Sequence, residues 1–69
     1  MIFKDVLEER AYIQSLVLNF FNNDSFKTSA WYVAPNPGLG YLAPFEMEQA
    51  GQVTKLREFV ECQLEGNSP

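Results

Sequence analysis

Apolar residues recur along this chain with the period of an α-helix, interrupted once by a stretch that no helix can cross. Val6, Ile13, Leu16, Val17, Phe20 and Phe21 draw one broad stripe at helical spacing, widened by Tyr12. A strand would need strict alternation, which the run from Leu16 to Phe21 lacks. Asp5 with Glu8 imitates a capping box, and Asp5, Glu8 and Glu9 complement the positive end of a helix dipole. The pattern predicts a first helix over about residues 5–22, ended by Asn22-Asn23. Asp24 or Ser25 caps a shorter second helix over about 25–34, with Phe26, Ala30, Trp31 and Val33 assigned to its inward face. A third runs from Pro44 to Gln49, with Phe45 and Met47 or their neighbours turned inward, and Gly51 breaks or bends the path. The fourth runs from Gln52 to about Leu64, with Val53, Leu56, Val60 and Leu64 on its core stripe. Phe59 lies beside that stripe, and Cys62 is read as an inert, half-buried thiol on another side.

The interruption is Trp31 to Pro44, WYVAPNPGLGYLAP. It holds three prolines and two glycines, so neither helix nor strand can run through it. It is too apolar for a free linker and predicts an ordered elbow, with Trp31 as a core anchor. The fold class is therefore all-α: one small four-helix domain over residues 1–69, with an elbow between helices 2 and 3 and a flexible tail at 65–69.

Size and charge narrow the functions. A chain of 69 residues buries only a marginal core, and Cys62, its single cysteine, excludes an internal disulfide. No histidine is present, which argues against a zinc site and against nucleophile–base catalysis. Self-association is the remaining support, so a homodimer is expected. Nine acidic against five basic residues, the latter scattered, argue against direct nucleic-acid binding. The glycine pair at Gly38 and Gly40 lacks the rest of a phosphate-loop fingerprint, and no cofactor is expected. No apolar run reaches a membrane span and no signal peptide opens the chain, which points to the cytoplasm. The reading is a binding protein rather than an enzyme.

Residues 30–60 bring together Ala30-Trp31, Pro35-Asn36-Pro37, Leu39-Gly40, Pro44, Met47, Ala50-Gly51 and Val53. This order resembles the toxin-binding domain of the MbcA/ParS/Xre antitoxins over about half the chain. Tyr32 stands where the family has leucine, Tyr41 where a second glycine is common, and Glu48 where leucine is frequent. The helix-turn-helix region of Xre-like members has no counterpart in the roughly 27 residues before the motif. The resemblance implies an all-α, often dimeric antitoxin that neutralises a RES-type, NAD-consuming toxin by occupying or covering its active site. It maps Trp31, Pro35, Asn36, Leu39, Gly40, Pro44 and Gly51 onto structural motif positions.

Partner contact is expected from the C-terminal part of the fourth helix and the tail, through Phe59, Cys62 and Leu64, with Tyr41 and Phe45 as second contacts. The alternative is a small adaptor or phage-encoded inhibitor that uses the same fold against a different host protein.

Overall fold

In a computed structural model, which describes residues 3–64, the chain folds into four helices. These are α1 (Val6–Phe20), α2 (Ser25–Val33), α3 (Pro44–Gln49) and α4 (Val53–Leu64), with a single 3₁₀ turn at Pro37–Leu39. No strand is present among the described residues, only one isolated antiparallel bridge between Asn36 and Leu42. The flexible tail expected at 65–69 lies outside the described residues.

Each helix begins and ends on identifiable chemistry. Asp5 caps α1, its Oδ1 accepting from the Glu8 N–H at 2.9 Å. Glu8 reaches back to the N–H of Lys4, one residue before the cap, instead of the cap itself. At the far end Asn22 and Asn23 adopt φ of 57° and 65°. The Asn23 N–H bonds the Leu18 carbonyl and the Asn22 N–H bonds that of Asn19, a Schellman closure built on asparagine. Asp24 then caps α2 through the Lys27 N–H. Gly51, at φ 77°, closes α3 in the same manner, with Gln52 N–H to Met47 and Gly51 N–H to Glu48. Pro44 occupies the first position of α3, where its missing donor costs nothing, and Glu46 accepts from the Ala43 N–H at 2.8 Å.

The core lies between α1 and α4. Ile13 and Val17 pack with Val53, Leu56 and Val60, and α3 adds Met47. Leu16, Phe21, Trp31, Tyr32, Leu39, Phe59 and Leu64 close over this centre, each half-buried. Among the described residues no helix is long and apolar enough to cross a membrane.

Several inward assignments are corrected. On α1, Val6 and Phe20 are about half exposed, and the buried line runs Glu9, Ile13, Val17, at i, i+4, i+8. On α2 two stripes compete over nine residues. Phe26, Ala30 and Val33 form one, but the helix turns the other, Thr28, Trp31 and Tyr32, toward the core. Phe26 is left 83% exposed. Thr28 suits the interior because its hydroxyl donates to the Asp24 carbonyl at 2.9 Å. On α3, Met47 is buried and Phe45 is exposed; on α4, Cys62 is exposed and not half-buried.

Candidate protein interface

The elbow is rigid because one side chain and one peptide organise it. The Asn36 N–H donates to the Leu42 carbonyl at 3.0 Å, and the Asn36 carbonyl accepts from the N–H groups of Leu39 and Tyr41, both at 2.9 Å. Its side-chain Oδ1 accepts from the Gly38 N–H at 2.9 Å, an Asx turn flanked by two prolines. Asn36 thus closes both ends of the loop 36–42.

Gly38 is required by proximity. A Cβ there would stand 2.7 Å from Cε1 of Phe59, so the elbow's backbone lies directly on the ring and docks onto α4. Beyond it the chain turns through two successive left-handed residues, Gly40 at φ 67° and Tyr41 at φ 66°. Glycine adopts this region freely. An aromatic residue does so at a cost of roughly 1–2 kcal/mol. Tyr41 bears that cost while 71% exposed, so little intramolecular packing is available to offset it. Leu42 beside it is also exposed.

A second feature opens next to Phe45. Leu7, Arg10, Ala11 and Gln14, at i, i+3, i+4 and i+7 of α1, face Tyr32 of α2 and Phe45 and Glu48 of α3 across a groove of about 410 Å³. Its polar floor is Glu48, whose side chain is only 8% exposed and accepts from Arg10 Nε at 3.2 Å; Arg10 is 47% exposed. Burial raises the Glu48 carboxyl above its ordinary value, against the opposing charge and hydrogen bond of Arg10. Burial raises the Tyr32 phenol strongly, and the Glu48 charge adds to this while Arg10 opposes it.

The third polar constellation is of a different kind. Between α1 and α4, Arg57 Nε donates to Glu9 Oε2 at 2.6 Å and its Nη1 to Glu61 Oε1 at 2.9 Å. Tyr12 donates to Glu61 Oε2 at 2.9 Å and Thr54 to Glu9 Oε1 at 3.2 Å. The ring of Phe3 covers the guanidinium, 5.4 Å from its carbon, and meets Tyr12 at 5.2 Å. The hydrogen bond to Glu9 holds the Arg57 guanidinium in its charged form. Every carboxylate oxygen in this cluster has a partner. It is a closed clasp between two helices, with no carboxylate oxygen left over for a ligand.

The residues expected at an interface are thus divided. Tyr41 and Phe45 are exposed near the elbow, and Cys62 is exposed on α4. Phe59 and Leu64 are half-buried against the core, Phe59 beneath Gly38. Of the motif positions, Pro44 is buried, Trp31, Asn36 and Leu39 are half-buried, and Pro35, Gly40 and Gly51 are exposed. Trp31 meets Tyr32 edge to face at 5.1 Å. Leu7, Arg10, Tyr32 and Leu42 escaped the sequence reading. The α1 residues of the groove stand off the apolar stripe, although their i, i+3, i+4 spacing shows a common face. Among the described residues no group of three His, Cys, Asp or Glu is placed to hold a metal ion.

Compared with family models, curated proteins and solved structures, the chain finds no match.

Proposed function

We propose that this chain acts by stoichiometric binding of a protein partner, with the elbow tip as the leading contact. The observation that carries the reading is Tyr41, an exposed aromatic ring held at left-handed φ on a hydrogen-bonded loop. Backbone strain of this kind, outside a helix cap, clusters at functional sites. An aromatic anchor presented on a rigid turn loses little entropy on docking, and such anchors dominate interface energetics. Leu42 and Phe45 extend the same apolar surface.

The resemblance to MbcA/ParS/Xre antitoxins names the partner class: a RES-type, NAD-consuming toxin, neutralised in the cytoplasm without catalysis by this chain. Phe26 and Val33, exposed on one face of α2, support association with a second copy as well. A second reading keeps the binding and changes the target to another host protein, as an adaptor or phage-encoded inhibitor would. It is favoured by Tyr32, Tyr41 and Glu48, the three departures from the family pattern, since all are built into surface features.

The test is a photo-crosslinking amino acid placed at position 41 in the native cell. It is expected to trap one protein in equimolar yield, which calorimetric titration then measures against the parent and Tyr41→Gly. At least tenfold weaker binding by Tyr41→Gly is expected, about 1.4 kcal/mol. Equal affinity would move the interface away from the elbow. A trapped enzyme that consumes NAD separates the antitoxin reading from the second one.

A further inference from the structure

We propose that the groove between α1, α2 and α3 is a socket for one arginine side chain, presented by a partner protein between apolar neighbours. This does not depend on the elbow reading, because it concerns an adjacent groove that shares only Phe45 with the elbow surface and is tested without the elbow's partner.

The groove holds an incomplete ion pair. Glu48 is nine-tenths buried, yet its carboxylate is met by Arg10 through a single Nε contact at 3.2 Å. Its second oxygen accepts from no described residue, and the Tyr32 hydroxyl likewise has no partner among them. Both reach solvent, since no sealed side-chain nitrogen or oxygen lacks a partner. The contrast with the clasp at Arg57 is direct: there each carboxylate oxygen of Glu9 and Glu61 is bonded.

What surrounds this floor fits the stem and head of an arginine. Leu7, Ala11 and Phe45 give apolar walls along which three methylenes can lie. The aromatic rings of Tyr32 and Phe45, which line the groove, can attract a planar cation. A second guanidinium would complete the free oxygen of Glu48 and bond the Tyr32 oxygen, both in a partly desolvated site where charge-assisted bonds are strong. Arg10 is no obstacle, because it is half exposed on a flexible stem and can move aside or share the carboxylate. The chain's net charge of −4 steers a cation toward it and an acidic ligand away. The groove's volume, about 410 Å³, lies within the usual range for a site that takes one large side chain with its flanks.

The probe is a set of three capped tripeptides, acetyl-Leu-X-Leu-amide, with X as arginine, citrulline or glutamate. Citrulline keeps the shape of arginine and removes its charge. Titrated into the ¹⁵N-labelled full chain, the arginine peptide is expected to shift the amides of Leu7, Ala11, Tyr32, Phe45 and Glu48. The citrulline peptide should bind at least fivefold more weakly, and the glutamate peptide more weakly still. Glu48→Gln, verified as folded by its thermal melt, should bring the arginine peptide down to the citrulline level. Equal binding of arginine and citrulline peptides, preference for glutamate, shifts outside the groove, or an unaffected Glu48→Gln would each overturn the proposal.

Discussion

The α1–α4 pair and the α2–elbow segment are built on opposite principles. Between α1 and α4, aliphatic residues are fully buried, and the one buried carboxylate, Glu9, is bonded on both oxygens. Within α2 only Thr28 is buried, large apolar residues of α2 and the elbow face outward, and Tyr41 sits in a strained backbone region. The first region is satisfied from within. The second carries apolar surface that the described chain leaves exposed. The function proposed above assigns recognition to the second region.

The sharpest way to break the first region is at Arg57. Arg57→Ala leaves Glu9 buried without its cation and should destabilise the fold by about 3–5 kcal/mol. That approaches the whole stability of a small domain. The pair Glu9→Leu with Arg57→Leu should recover most of the loss, because two well-packed apolar residues need no compensation. Chemical denaturation of the single and double variants measures this. A double variant as unstable as the single one would mean that packing of the stems, and not the charge pair, holds α1 to α4.

Trp31→Ala, on the boundary between the two regions, should cost about 2–3 kcal/mol, below the full range for a buried aromatic because the ring is only half-buried. A melt indistinguishable from the parent would place Trp31 with the recognition surface instead of the core. Tyr41→Gly reverses the sign. Removing the left-handed strain should stabilise the chain by about 1 kcal/mol, while partner binding falls. A loss of stability would show that the tyrosine ring supports the elbow from within.

The smallest effect is at Glu48. Burial raises its carboxyl, so the folded state binds this proton more readily than the unfolded state does. Its contribution to stability therefore declines as pH rises from the ordinary carboxylate value through the raised one, and returns as pH falls. Glu48→Gln, permanently neutral, should melt about 2–4 °C above the parent near pH 7. The two melting temperatures should converge near pH 4. A constant difference across that interval would mean that Arg10 fully compensates the buried charge.

Much of the fold was legible because caps and breakers are local. Asp5, Asp24, Asn22-Asn23, Pro44 and Gly51 each act within one turn of the chain, and the helix boundaries follow them to within two residues. Faces were less legible where a short helix carries two stripes. On α2, Phe26 and Val33 outweigh Thr28 in hydrophobicity, yet the cap at Asp24 and the extended residue before Pro35 set which side meets α1. The clasp and the groove were illegible for another reason. Glu9 with Arg57, and Arg10 with Glu48, are separated by 48 and 38 residues, and only the packing of helices brings them together. Tyr41 could be singled out from the family pattern. Its left-handed backbone is what gives the departure physical content.

Native-state hydrogen exchange on the isolated protein tests the division most directly. The account predicts that amides inside α1 and α4, around Ile13, Val17, Leu56 and Val60, exchange only through global unfolding. Those of α2 should open at a free energy lower by roughly 2 kcal/mol, as an independently yielding unit. Uniform protection across all four helices would contradict the account, because α2 would then belong to the same cooperative core.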